Sequence, residues 1–518
     1  MLIYALAVAL GCLLASRGLI HYFQLESYQF PGYFRTVKRN LIRCLIPGGI
    51  LLAYGMLMRV LGGEMTLRFS DLCLAAAYVA FGAAIHQVMR RQKAKKALVF
   101  TARVKRLYAV ALVVFTLIFW AAGSVSAWLM FALPALLPLL VALAGLLAWP
   151  VEKLISEMYF RDAQRKLKAR PDLIKIGITG SYGKTSVKFI LGTLLSEKYQ
   201  TLVTPSSFNT PMGVTRIIRE KLQPSHQVFV AEMGARHVGD IKEMCRLVHP
   251  LHGVLTSVGP QHLDTFKTLE RIKKTKYELM DAIPADGCCF FPDDGGICRE
   301  LYDRTTKEKR LCCVDGNADV WAEDITVSPA GSSFLLCTKE EKIACQTRLL
   351  GRHNIQNILL AATVCLHLNM TLRQISRGIA RLEPVEHRLQ LIPSPGVTII
   401  DDAFNANPRG AEAALDVLGA FTGRRIIITP GMVELGEGEA AFNRSFGEKM
   451  AKNVDVAILV GRKHTQPIAE GLRSAGFPEE NLHVVASLDE AAAMLRTIGR
   501  PGDVALFEND LPDNYAEQ

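Results

Sequence analysis

Along the first 150 residues apolar positions run together instead of alternating. Five runs stand out, at residues 2–20, 41–61, 72–88, 107–123 and 127–149. Each approaches the roughly 20 residues that cross a bilayer as a helix. The first has no basic leader or small-residue cleavage site and is followed by further apolar runs, so it reads as an anchor and not as a signal peptide. No acidic or basic residue stands at the middle of a run, which argues against a proton relay or ion path. Pro134 and Pro138 predict at most a kink in the last run. Beyond about residue 171 the pattern changes to short apolar strands alternating with amphipathic stretches, the signature of an α/β protein.

Charge divides at the same place. Residues 1–170 hold 21 Lys+Arg against 6 Asp+Glu, a net +15, whereas the whole chain carries +11, leaving −4 for the rest. The basic residues fall in alternate connections. One holds Arg35, Lys38, Arg39 and Arg43; the next holds Arg90, Arg91, Lys93, Lys95, Lys96, Arg103, Lys105 and Arg106. The last holds Lys153, Arg161, Arg165, Lys166, Lys168 and Arg170. This alternation predicts five spans at the inner or plasma membrane, with the amino terminus outside and the remainder in the cytoplasm. The basic excess belongs to a bilayer partner, so no nucleic-acid partner is implied. Twelve cysteines without a CxxC read as small buried hydrophobes in a reducing compartment. At 518 residues the chain divides into a membrane domain (1–150), a basic linker helix (151–170) and two further domains (171–387 and 388–518).

The chemistry lies after the linker. An apolar run at 173–178 leads into Thr179-Gly180-Ser181-Tyr182-Gly183-Lys184-Thr185-Ser186 and then a helical pattern. A strand, a Gly-rich turn and a helix start let backbone N–H groups and the helix dipole hold phosphates. Lys184 would reach the β- and γ-phosphates and the Thr185 hydroxyl would bind magnesium. Ile178 replaces the first glycine of the usual phosphate loop, so this stretch alone says only that a nucleotide binds. Two more apolar runs, 228–232 ending in Glu232 and 255–259 leading to His262, predict neighbouring strand ends; Lys276 lies on a following helix. Parallel strands would bring Thr185, Glu232 and His262 to one edge, where such sheets bind ligands.

Seven ordered motifs carry a family resemblance. They are the phosphate loop, Asn209-Thr210-Pro211-Met212-Gly213, Ala231-Glu232-Met233-Gly234, Val258 through Leu263, Lys276-Tyr277-Glu278, Gly351 through Asn357, and Asp401 through Pro408. The sequence resembles the Mur ligase family, most closely its D-alanyl-D-alanine-adding branch. The resemblance implies a P-loop central domain and a Rossmann-like carboxy-terminal domain behind the α-helical membrane domain. It implies ATP, two magnesium ions held by Thr185, Glu232, His262 and Lys276, and carbamylation of Lys276. It also implies that Asn209 contacts the transferring phosphate, with Asn354 and Asn357 on the adenine side. Arg388 and either Asp401 or Asp402 would meet the ribose and phosphates.

The expected reaction is ATP-dependent amide-bond formation through an acyl phosphate. Where the branch carries a domain that grips a UDP-sugar, this chain has its apolar runs. That points to a lipid-linked envelope precursor as the carboxylate substrate, with D-alanyl-D-alanine addition to a soluble UDP-muramoyl peptide as the alternative. Phe507-Glu508-Asn509-Asp510 stands where the family shows Lys-Gly-Ser, which would favour a cationic amine unless the segment is merely a frayed acidic tail. A membrane ATPase or transporter would explain the loop and the apolar runs but not Asn354 or Lys276. A silent scaffold would not need Lys184, Glu232 and His262 together.

Overall fold

The computed structural model describes the chain except residues 63–68, 92–96, 206–207, 317, 393, 395, 405 and 511–518. Lys93, Lys95, Lys96 and Asn405, named above, therefore lie outside the described residues. The chain forms two compact units, Met1–Met158 and Tyr159–Leu511.

The first unit is helical. Two helices, Ala102–Val125 and Ala127–Lys168, are long and apolar enough to cross a membrane, or up to four if each of two bent pairs is one span. The expected count of five is not reached among the described residues. The first apolar run is broken at Ser16 into Leu2–Ala15 and Arg17–Leu25, bent by 50°. The second belongs to a pair bent by 85°. The third lies within the helix Phe69–Arg91. Hydropathy counts apolar residues and does not register such breaks. Pro134 sits in a 3-10 turn, Leu133–Leu136, and the helix Leu137–Lys168 then runs through Pro150 and takes in residues 151–168 of the expected linker helix. Large apolar side chains on both long helices face outward, among them Val113, Leu117, Trp120, Leu139, Leu146 and Trp149. Such a surface is costly in water and suited to lipid.

The second unit holds two sheets. Nine strands make the first: β1 (Ile174–Thr179), β2 (Thr201–Val203), β3 (Val228–Glu232), β4 (His252–Leu255), β5 (Cys289–Pro292), β6 (Lys309–Cys313), β7 (Val320–Ser328), β8 (Gly331–Thr338) and β9 (Lys342–Thr347). Their order is β2-β3-β1-β4-β5-β6-β7-β8-β9. The pairs from β2 to β7 are parallel and β7-β8-β9 is an antiparallel meander. Apolar clusters cover both faces, as the apolar run of β3 and the buried carboxyl half of β1 require. The third strand lies earlier than the apolar run 255–259 predicts: β4 ends at Leu255, and Val258-Gly259 belong to the following loop.

The second sheet contains β10 (Gln390–Ile392), β11 (Val397–Asp402), β12 (Arg425–Thr429), β13 (Val456–Val460), β14 (Leu482–Val485) and β15 (Asp503–Glu508). Its order is β10-β11-β15-β12-β13-β14, parallel except for β10. The segment expected as either an acidic subsite or a frayed tail is thus begun by a core strand, with β11 on one side and β12 on the other.

Candidate active site

The chain runs from β1 to one side of the sheet and then returns to the other, so β1 lies between β3 and β4. This reversal leaves a crevice at the carboxyl end of β1, the usual ligand position in doubly wound sheets. The phosphate loop fills it. Gly183, with φ of 77°, makes the left-handed turn that starts the helix Lys184–Leu195. Ser181 pins the loop to the next strand's exit: its Oγ donates to Gly259 O at 2.9 Å and accepts from Gly259 N at 3.0 Å. Thr179 Oγ1 donates to Met233 O at 3.1 Å, and Ser186 stands in the first turn of the helix.

Lys184 folds back onto its own loop, donating to Gly180 O at 2.7 Å and Ser181 O at 2.9 Å. Burial lowers its ammonium to about 8, with Glu232 opposing that shift and Arg388 adding to it. Glu232, the last residue of β3, gathers three donors: Thr185 Oγ1 at 3.1 and 3.2 Å, Asn209 Nδ2 at 3.0 Å and Lys188 Nζ at 2.9 Å. Burial pushes the Glu232 carboxyl upward, but Lys188 and Lys184 outweigh it and keep the group ionised below the usual range. Lys188 was not anticipated. It is fully buried against Glu232, one helical turn beyond Lys184. The available signal was a lone lysine among Val187, Ile190 and Leu191 on the buried face of an apolar helix.

His262 follows β4 in a left-handed conformation, φ 52°. Its Nδ1 donates to Glu434 Oε2 at 2.6 Å. Glu434 comes from the loop after β12, so this contact joins the two sheets' loops. Burial depresses the imidazole, and Glu434 opposes that. Nothing in the sequence pairs Glu434 with a histidine 172 residues away.

Lys276, on the helix Leu269–Ala282, is 2% exposed. Burial first, then the charge of Lys184, holds its amine well below the usual lysine range, although Asp240, Glu278 and Glu232 oppose this. No hydrogen bond or ion pair to its amine is described among the described residues. Asn354 and Asn357 lie on the helix Arg352–His367; Asn357 Nδ2 donates to Asn354 Oδ1 at 3.4 Å. Asn357 also crowds the loop, its Oδ1 3.0 Å from where a Cβ on Gly183 would sit.

From the turn that precedes β10 comes Arg388, whose guanidinium lies 4.4 Å from the centre of the Phe404 ring. Burial lowers it, while Asp402, Glu232 and Glu508 act against that shift. Successive strand positions face opposite ways. Asp401 accordingly accepts from His387 Nδ1 at 2.7 Å, while Asp402 stands beside Glu508, its register partner on β15. Burial raises both Asp402 and Glu508; the charge of Asp402 raises Glu508 further, whereas Arg388 and Glu508 hold Asp402 back, so of the two Glu508 is the acid that keeps a proton. Glu508 is 1% exposed.

A P-loop with a carboxylate, a histidine and a deeply buried lysine around it, facing an arginine from a second α/β domain, defines an ATP-dependent ligase that joins a carboxylate to an amine. Comparison with known proteins places it further. Residues 178–365 match the Mur ligase middle domain and residues 387–508 the Mur ligase glutamate ligase domain. The chain belongs to the Mur ligase family. It is 32% identical over 357 residues to the UDP-N-acetylmuramoyl-tripeptide–D-alanyl-D-alanine ligase of Mycobacterium bovis, covering 64% of this chain and 69% of that one. The enzyme of the same name from Escherichia coli K12 is 31% identical over 302 residues, 57% of this chain and 67% of that one. Among solved structures, MurF from Acinetobacter baumannii aligns at a TM-score of 0.63 and 25% identity, over 70% of this chain and 78% of that one. MurF from Thermotoga maritima in complex with ADP aligns at 0.62 and 25%, over 68% and 80%.

Proposed function

We propose that this ligase attaches D-alanyl-D-alanine to the free carboxylate of a muramoyl peptide, the reaction for which its relatives are named. The observation that carries the reading is the cluster of Lys184, Thr185, Asn209 and Glu232 at the carboxyl ends of β1 and β3. It falls within a chain whose likeness to those relatives spans both α/β domains. The γ-phosphoryl group passes to the substrate carboxylate, giving an acyl phosphate and ADP; the amine then attacks the acyl carbon and phosphate leaves. Phosphoryl transfer depends mainly on positioning and charge. Lys184, fixed by two loop carbonyls, supplies the cation, and Asn209 contacts the transferring group. Asn354 and Asn357 serve the adenine side. Arg388 and Asp402 meet the ribose and phosphates, because Asp401 is turned to His387.

The donor set fits magnesium: an ionised carboxylate on Glu232 and the Thr185 hydroxyl beside it are hard oxygen ligands. When bound, magnesium neutralises phosphate charge. His262 and Lys276 would serve a second ion. A lysine qualifies only after modification, and a buried amine kept neutral is the form that adds carbon dioxide, releasing a proton and leaving a carboxylate-like oxygen donor.

The acidic stretch at 507–510 gave reason to expect a cationic amine. Burial of Glu508 against Asp402 removes that ground, since its charge is not offered to a substrate surface. A second reading concerns the carboxylate substrate. The outward apolar faces of Ala102–Val125 and Ala127–Lys168 favour a lipid-linked muramoyl peptide presented at the cytoplasmic face of a membrane. The test is ADP release by the purified full chain in detergent. Release should require both D-alanyl-D-alanine and a muramoyl peptide. Turnover with neither would instead indicate a membrane ATPase. Use of the lipid-linked acceptor alone would select the second reading.

A further inference from the structure

At the opposite edge of the first sheet lies a second cluster of chemically competent side chains. The register pairs Gly253 with Cys289 and Cys289 with Lys309. Gly253 N donates to Cys288 O at 3.0 Å and Cys289 N to Glu308 O at 2.9 Å. His252, Cys288 and Glu308 therefore form one row across the starts of three neighbouring parallel strands. Residues in one row of a parallel sheet point to the same face. The helix Arg352–His367 packs on that face through Ile358, Leu359 and Cys365, and its last residue, His367, reaches the row.

The donor atoms of Cys288, Glu308 and His367 all lie within 4.8 Å of one another. His367 Nδ1 is 3.8 Å from a Glu308 oxygen. Burial is graded: Cys288 is buried, His367 half-buried and Glu308 exposed, so the cluster opens to solvent on its carboxylate side. Arg310 holds one Glu308 oxygen at 3.0 Å. His252 walls the cluster, its ring 5.0 Å from that of His367. Its Nδ1 accepts from Cys288 N at 3.2 Å, which leaves the proton on Nε2 and keeps this ring out of the donor set.

We propose that Cys288, Glu308 and His367 bind one divalent transition-metal ion of the zinc class, with solvent as the fourth ligand. A thiolate, an imidazole and a carboxylate neutralise a doubly charged ion and match its borderline-soft preference, which excludes magnesium and calcium. Tetrahedral bonds of about 2.0–2.3 Å put neighbouring donors roughly 3.3–3.8 Å apart, within reach of small side-chain rotations. Burial lowers His367 and so favours the neutral, coordinating imidazole. Burial pushes the Cys288 thiol up to about 12, and Glu308 adds to this; a bound cation reverses both effects. The ion would fasten the last turn of the helix to the starts of β5 and β6. That helix is 16 residues long, about 24 Å, and carries Asn354 and Asn357 at its other end. The site would thus brace the element that borders the phosphate loop.

The test uses the full chain in detergent, stripped with chelator and titrated with cobalt(II). One equivalent should produce a near-ultraviolet thiolate-to-cobalt absorption, lost in Cys288→Ser and kept in the control Cys313→Ser. Zinc should then displace cobalt, raise the unfolding temperature of the wild type and remain at one ion per chain after dialysis. Glu308 is exposed, so Glu308→Gln should fold normally and weaken cobalt binding by at least about tenfold. Absence of the thiolate band in folded wild type, its persistence in Cys288→Ser, or unchanged affinity in Glu308→Gln would each overturn the proposal.

Discussion

The buried pair beneath the phosphate loop offers the sharpest test of the site's architecture. Lys188 and Glu232 are 0% and 1% exposed and 2.9 Å apart. Replacing Lys188 with methionine keeps the length of the side chain and removes its charge. Glu232 is then a desolvated carboxylate that keeps the Thr185 and Asn209 hydrogen bonds and the charge of Lys184 but has lost its directly bonded cation. Stranding one partner of a buried pair costs about 3–5 kcal/mol. At about 2 °C per kcal/mol for a large domain, the unfolding temperature of Lys188→Met should fall by roughly 6–10 °C. The double variant Lys188→Met/Glu232→Gln should recover most of the loss, because removing both charges also removes the unpaid desolvation. Thermal unfolding of the full chain in detergent with EDTA reads both. If the single variant melts within about 2 °C of wild type, or the double variant is no better than the single, Lys188 is not the counter-ion of Glu232 and the reasoning fails.

Lys184→Ala should cut ATP turnover by about a hundredfold or more through loss of phosphate stabilisation, measured as substrate-dependent ADP release; near-normal turnover would remove Lys184 from the reaction. Lys276→Ala should be inactive and partly rescued by a short carboxylic acid, with no rescue counting against a carbamate. Glu508 titrates above the usual carboxylate range when folded, so it costs stability increasingly as pH rises above the unfolded value near 4.5. Glu508→Gln should therefore gain up to about 1.4 kcal/mol per pH unit over wild type across that window. Denaturant unfolding at pH 5 and pH 8 checks this, and equal slopes for the two proteins would contradict it.

How much of this was legible in the sequence depended on whether the information was local. The β1-loop-helix unit was readable because Gly180 and Gly183 punctuate an apolar strand and an amphipathic helix. The grouping of Thr185, Glu232 and His262 followed from placing their strands side by side, and the order β3-β1-β4 does so. Lys188 was overlooked because a lysine in a helix is ordinarily solvated, and only its partner's burial shows otherwise. The His262–Glu434 contact spans two sheets and leaves no periodic trace. Asp401 and Asp402 could not be told apart until strand register assigned each a face. In the helical unit, apolar content was visible, but the bends at Ser16 and at Asn40, which parts Phe30–Arg39 from Leu41–Leu57, were not, since neither residue is a glycine or proline.

The position of β15 has a consequence for how the second sheet comes into being. It lies between β11 and β12, both made earlier during synthesis. Those two strands cannot hydrogen-bond to each other in the native order, and their facing edges stay open until the residues 503–508 emerge and slide between them. Closure of this sheet is a late, non-local event of the kind that folds slowly and exposes strand edges meanwhile. The carboxyl group of Glu508 enters the interior in that same step, beside Asp402, so the proton it carries is taken up as the domain locks.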